Sequence, residues 1–463
     1  MTPRRRILFG AQAFEQAQLN AFKTRVQADS GAIEAEECLK AQIKRLQELG
    51  LYDKASLLVT PNAYKASKIY SLKPTSGAGD LTFARASVKR RRNASGNSEE
   101  VASGVPALQY PVGGGCPSWL IETQRTNGIR NNSMVGAVAG TPGTIPTNWF
   151  INAPAGISTQ VVGIGVQDGI NYIDIRYFGT GSGLGNITFE QSVIAALNGQ
   201  IWTNSFWFQV IAGSSANCTL QSRIAERNSG GGAVTEGLQT IVSPTSWLRN
   251  TFTRTLSGGG TVAFVIPAIL LNFASATHDF TMRIGLPQME QGAFATSEII
   301  TSGSALTRVA DDLTTAGLSA FIGQAQGVFA AKMRIPSLFA NYIISLNDTT
   351  INNRIYIGIN ASNQIEAALI SNNVIQAFIA GGSVSVGVDY NIVASYGSNY
   401  FALFVNGVKL GQDLSVVPFA NTVSRLSPNS AVGAGAFQGN LGPIYIGNTL
   451  PSDAECIALS NSL

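Results

Sequence analysis

The chain has 463 residues, of which 45% are hydrophobic and 13% charged, with 49 glycines and 17 prolines. So much apolar content with so little charge excludes a disordered or coiled-coil protein, and glycines without a three-residue period exclude collagen. The formal net charge of +4 hides an asymmetry, because residues 1–130 carry 19 of the 31 Lys+Arg but only 11 of the 27 Asp+Glu, so the basic front and the acidic remainder are expected to meet different partners.

Length leaves room for three units at about 150 residues each. The four cysteines, Cys38, Cys116, Cys218 and Cys456, are too far apart for a metal motif, and His278 is the single histidine. A zinc site is therefore excluded, and the cysteines read as reduced core residues, not as a disulfide framework. No run reaches the roughly 18 apolar residues of a membrane span, so no membrane partner is expected. Residues 1–10 have the basic part of a signal peptide without its apolar part, and secretion by the general route is not expected.

In chain order, residues 11–50 are the strongly helical stretch, divided at Ser30-Gly31 and stopped at Gly50. Ile33, Leu39, Ile43, Leu46 and Leu49 form its apolar stripe. Residues 1–75 thus read as a helical anchor whose end, 51–75, is irregular. Residues 76–130 read as a turn-rich connector. It contains the basic run Lys89-Arg90-Arg91-Arg92, which reads as a solvated loop, since no aromatic is interleaved for nucleic acid. Residues 131–300 read as the next unit, within which 150–290 alternate with period two. In 201–210, Trp202, Phe206, Phe208 and Val210 share one face, and Thr203, Ser205, Trp207 and Gln209 the other. The same pattern in 172–177 and 280–286 predicts half-buried antiparallel strands and a β-sandwich. His278 reads as a turn residue at a strand entrance. Residues 301–324 read as a linker, and 325–463 as a second all-β unit. There Asn406-Gly407 predicts a type I′ hairpin, and Ser452 to Glu455 a capping box that starts a helix. The fold expected is mainly β: a short α-helical N-terminal segment, then two antiparallel jelly-roll or lectin-like sandwiches in series.

Three segments carry a family resemblance: 80–87 (DLTFARAS), 114–127 (GGCPSWLIETQRTN) and 288–311 (QMEQGAFATSEIITSGSALTRVAD). Together they resemble a family of bacteriophage virion surface proteins, of tail-fibre, head-fibre or spike type, frequent in phages of Bacteroidetes, crAss-like phages included. The module they flank resembles carbohydrate-binding sandwiches, and the last 140 or so residues resemble a concanavalin A-like, laminin-G-like sandwich. The family's common tyrosine after Thr296-Ser297 is Glu298 here. The resemblance implies a virion-surface location and homotrimers. It also implies an N-terminal segment bound to other virion proteins, and sandwiches that contact host cell-surface glycans. Calcium held by loop oxygens at Asp348, with Asn352 and Asn353, belongs to the same concanavalin-like expectation.

Glycan contact needs aromatic faces beside amides or charges. The non-core faces of the first sandwich offer Trp207, Tyr172, Asp174, Arg176 and Arg283, which form one surface if their strands share a sheet. Asn353, Arg354, Tyr396, Asn399 and Tyr400 are weaker candidates in the second. No catalytic residues are identified and no enzyme is expected. One histidine gives no Ser-His-Asp triad, and the adjacent pairs Glu36-Glu37, Glu99-Glu100 and Asp311-Asp312 fall in the helix or connectors. The competing functions are a particle-borne polysaccharide depolymerase or glycosidase and a purely structural decoration protein.

Overall fold

The computed structural model describes residues 3–191, 193–242, 246–338, 341–431 and 436–463, with side chains from residue 16 onward. It is mainly β and divides into two compact units. Unit 1 takes residues up to 96, then 100–123 and 309–463; unit 2 takes 97–99 and 124–308.

Unit 1 is a sandwich with helices on one side. Its large sheet runs in the order Val408–Asp413, Tyr400–Val405, Tyr390–Gly397, Gly327–Arg334, Gly439–Gly447, Leu57–Lys65, Lys68–Lys73, Leu81–Thr82. Its small sheet has five strands, Val374–Ser383, Gln364–Ser371, Arg354–Ile359, Tyr342–Asn347 and Arg425–Ser427. The strand Gly327–Arg334 shows why central strands here read as continuous apolar runs. Phe329, Ala331 and Met333 enter the core shared with the small sheet, while Val328 and Ala330 enter a second core beneath the helices. That second core receives Leu19, Phe22 and Val26 of α1 (Pro3–Ala28), Leu39, Ile43 and Leu46 of α2 (Glu36–Glu48), and Cys456 and Leu459 of α3 (Asp453–Ser460).

Local signals hold closely in this unit. Gly50 has φ +67° and closes α2 with a Schellman pattern, its N–H donating to Gln47 O at 2.9 Å and Leu51 N–H to Leu46 O at 2.8 Å. Asn406 (φ 45°) and Gly407 (φ 84°) make the hairpin turn between Tyr400–Val405 and Val408–Asp413. The Ser452–Glu455 capping box opens α3. Leu49, expected in the buried stripe, is exposed.

The segment boundaries differ from the sequence reading. Residues 1–75 are not a separate anchor, because Leu57, Leu58 and Val59 pair with Ile446, Tyr445 and Ile444 in the middle of the large sheet. Residues 76–130 and 301–324 are not free connectors either. Trp119, Leu120 and Ile121 pair with the strand Gly439–Gly447, and Leu313, Leu318 and Ile322 fill the sandwich core. These pairings join residues hundreds of positions apart, which local periodicity does not report. The basic run is a strand, Lys89–Arg92, and not a solvated loop: Lys89 pairs with the buried Asp311 and Arg91 with the partly buried Glu34. Cys38 and Cys116 form a disulfide across 78 residues, with Cα atoms 5.6 Å apart, while Cys218 and Cys456 are free and buried as expected. Two cysteines distant in sequence gave no signal of this meeting.

Unit 2 is a sandwich built on two long bent strands. Ile170–Thr188 and Phe264–Gln291 pair antiparallel from Tyr172↔Gly285 to Thr188↔Ala268, with a register shift between Gly181 and Gly183. On one side of the shift they form a layer with Ile157–Gln167, Ile201–Ser214 and Leu248–Thr255. On the other they join Phe150–Asn152, Cys218–Arg227 and Ala233–Thr240. Glycine is required at the bend: a Cβ on Gly179 would lie 2.1 Å from Gly156 O, and one on Gly181 2.4 Å from Ala155 O. His278 sits in the strand at this bend, not in a turn. It is buried, with Nε2 3.0 Å from Ala274 O and its ring edge-on to Phe273. Ile173, Ile175, Phe206 and Phe208 of the first layer pack against Ile224, Ile269 and Leu271 of the second. No helix among the described residues is long and apolar enough to cross a membrane.

Candidate functional site

The first layer of unit 2 brings the five predicted residues onto one face. Tyr172, Gly285, Trp207 and Arg249 are successive partners across four strands, as are Gly163, Asp174, Arg283 and Gln209 in the next row. Arg176 lies opposite Thr281 one row further. A bulge between Ser205 and Trp207 sets this register. Three glycines make room for the large side chains. A Cβ on Gly165 would lie 2.7 Å from Tyr172 Oη, one on Gly163 3.1 Å from Asp174 Oδ2, and one on Gly285 2.9 Å from Trp247 Cη2. The ring of Trp247 therefore lies over Gly285, 5.8 Å from Trp207.

The charges on this face are paired with one another. Arg283 lies 3.6 Å from the Tyr172 ring centroid, donates to both oxygens of Asp174 at 2.8 Å, and reaches Gln167 Oε1 at 2.5 Å. Hydrogen bonds to Asp174 hold its guanidinium above the usual arginine pKa. Arg176 makes a two-pronged pair with Asp279 at 2.7 and 2.6 Å and lies over Phe178; that bond raises the Arg176 pKa and lowers that of Asp279. Each guanidinium is thus neutralised and fixed flat, which suits hydroxyl recognition better than capture of a free anion.

The segment 292–299 covers only half of the face. It buries Thr203 and Ser205 through Thr203 Oγ1 to Gly292 O (2.8 Å) and Arg249, which donates to Thr296 O (2.6 Å) and Ser205 Oγ (3.0 Å). Glu290 holds the segment down, accepting from Thr296 N (2.8 Å) and Thr296 Oγ1 (2.7 Å). Tyr172, Trp207, Gln209 and Trp247 stay half-exposed beyond it. Glu298, the departure from the family pattern, accepts the Trp207 indole N–H at 3.0 Å and so fixes the ring. Trp247, Gln167 and Gln209 escaped the sequence reading of the site, although Trp247 is one of only five tryptophans in the chain. Unit 2 also has a cavity of about 950 Å³ lined by Trp202, Gln124, Gln200 and Gln291, of which strand alternation placed only Trp202, on the core face.

The other candidates have structural roles. Asp348 sits in a turn that its own carboxylate braces. Its oxygens accept from Thr350 N (2.9 Å), Thr350 Oγ1 (2.6 Å) and Asn353 Nδ2 (2.8 Å), and among the described residues no three His, Cys, Asp or Glu cluster as a metal site. Burial would raise the Asp348 pKa, but those bonds outweigh it and the net shift is downward. Asn353 and Tyr396 are buried; Tyr396 donates to Gly323 O at 2.6 Å and Tyr400 to Asp453. The three family-like segments meet at Asp311, which receives Arg85 at 3.0 Å, Lys89 at 2.5 Å and Glu122 N–H at 2.8 Å. Lys89 also pairs with Glu122 at 3.0 Å. Asp311 is therefore the centre of a buried ion network, not half of an acid pair.

No protein-family model matches this chain, and no curated protein matches it. Among solved structures, the chain is similar to the CBM40 of the Ruminococcus gnavus IT-sialidase bound to α2,6-sialyllactose (16% identity, 30% of this chain and 84% of that one, TM-score 0.26). It is also similar to domain 4 of a GH43 extracellular arabinanase from Geobacillus stearothermophilus in complex with arabinotriose (12% identity, 36% and 80%, TM-score 0.26). A third is a tandem CBM22 domain from Paenibacillus barcinonensis (11% identity, 69% and 97%, TM-score 0.23).

Proposed function

We propose that this chain is a non-catalytic glycan-binding protein of a virion surface, and that the uncovered half of the unit 2 sheet face docks the glycan. The carrying observation is the cluster of three half-exposed rings, Tyr172, Trp207 and Trp247, beside Asp174, Arg283 and Gln209. Sugars present apolar ring faces and peripheral hydroxyls, and this face offers aromatic platforms and fixed polar groups side by side. The carboxylates at the face, Asp174, Asp279 and Glu298, each lie within ion-pair distance of an arginine, which favours binding over hydrolysis.

The virion-surface placement rests on the three family-like segments. It carries with it a homotrimeric assembly, attachment to other virion proteins through the N-terminal segment, and host-surface glycans as the target. Three copies would turn weak single sites into firm attachment.

The test is a glycan array followed by titration of the full chain, with Trp207→Ala and Trp247→Ala as variants. Binding that weakens about tenfold or more in each, at unchanged thermal midpoint, is expected. Absence of any bound glycan, or variants that bind like the parent, overturns the reading. Release of reducing ends from a bound polysaccharide would make the protein a depolymerase instead, and light scattering reads the trimer.

A further inference from the structure

Unit 1 holds a separate cleft of about 590 Å³. It is lined by Arg92, Lys332, Arg334, Asp389, Thr60 and the Cys38–Cys116 disulfide, among others. Its charges are three cations against one carboxylate. Asp389 is taken by Arg334 at 2.6 Å. The remaining two cations have no hydrogen-bonded or ion-paired side-chain partner among the described residues.

That lack is unusual for this region. Lys89 is satisfied by Asp311 and Glu122, Arg85 by Asp311, and Arg91 by Glu34. Arg92, the last residue of the same strand, uses only its backbone, its N–H donating to Gln109 Oε1 at 2.7 Å. Lys332 is half-buried on the strand Gly327–Arg334 with its stem against Gly442, where a Cβ would come within 2.8 Å of the Lys332 Cβ. Burial lowers the Lys332 pKa, Arg334 and Arg45 add to that, and Asp389 only partly opposes it. A third group points the same way: Thr60 is 2% exposed, and its hydroxyl is buried with no partner. A cation or hydroxyl held out of water without a partner costs free energy that a ligand's oxygens would return. The disulfide, Pro111 and Pro117 stiffen the rim, so little ordering is needed on binding.

We propose that this cleft is an anion-binding site, in which Arg92, Lys332 and the Thr60 hydroxyl receive the carboxylate or phosphate of a small polar ligand. The site is distinct from the unit 2 face, and it stands or falls independently of that reading.

The experiment titrates the full chain with glucuronate, inorganic phosphate and neutral glucose at constant ionic strength. Lys332→Met, which keeps the stem, and Arg92→Gln are the variants, each checked for native circular dichroism. An anion should bind with Kd below about 1 mM while glucose does not, and each variant should weaken the anion about tenfold. Tighter glucuronate assigns a carboxylate ligand such as an acidic sugar; tighter phosphate assigns a phosphate-bearing one. Arg92→Gln alone decides if Lys332→Met fails to fold. Failure of both anions to bind, or binding that neither variant weakens, overturns the proposal. Trp207→Ala should leave this binding untouched, which separates the two sites.

Discussion

Both units are antiparallel sandwiches, yet the outer faces of their sheets have different fates. In unit 1 the large sheet carries α1, α2 and α3 on its outer side, and Val328, Ala330, Phe404 and Tyr445 are buried beneath them. In unit 2, among the described residues, the segment 292–299 covers part of the outer side of the first layer, and Tyr172, Trp207 and Gln209 remain half-exposed. The strands of the two faces differ accordingly. Where helices cover the sheet, both faces are apolar; where cover is partial, the outer face mixes rings with paired charges. A covered face contributes stability through buried area, and a partly covered one keeps rings and polar groups open to solvent.

The sharpest way to break the comparison is at Asp311. Asp311→Ala would leave Arg85 and Lys89 fully buried without their shared carboxylate, and about 3–5 kcal/mol of unit 1 stability should be lost in denaturant titration. A loss below about 1 kcal/mol would mean that water or Glu122 takes over the charge.

Next comes the disulfide, which ties the helix layer to residue 116. Replacing Cys38 and Cys116 by serine opens a 78-residue loop and should cost about 4.5 kcal/mol on the chain-entropy account. Hydrogen exchange should report the loss in unit 1, with unit 2 unchanged; equal loosening of both units would contradict their separation.

The smallest effect is expected from Glu290→Ala, which frees the segment 292–299. Thr296 N–H and hydroxyl lose their acceptor, for about 2 kcal/mol. Faster exchange at 292–299, with Thr203 and Ser205 becoming accessible, would sharpen the contrast by enlarging the exposed face. Unchanged exchange there would show that Arg249 and Arg308 hold the segment without Glu290.

Much of the candidate face was legible. Period-two alternation put Tyr172, Asp174 and Arg176 on one side of their strand, and the structure adds the register that sets Asp174 beside Arg283. Trp247 was not legible, because a loop residue has no periodicity and its seat over Gly285 depends on three other strands. The cleft in unit 1 was invisible for a related reason. Arg92 and Lys332 stand 240 positions apart and meet only because two distant strands share a unit. The basic run misled because charge density reads as solvation, whereas Lys89 is buried against carboxylates from two other segments.

By itself the sequence determined what short-range chemistry decides. The Asn406-Gly407 turn, the Schellman end of α2 and the capping box of α3 each depend on residues within a few positions of one another. Strand periodicity and the mainly β class follow from alternation along single segments. The tertiary structure alone decided which segments share a unit, that Cys38 meets Cys116, that His278 lies inside a bent strand, and which half of a sheet face stays uncovered. Those outcomes depend on pairings across tens to hundreds of residues. Their free energy comes from burial and from hydrogen bonds that no local window contains.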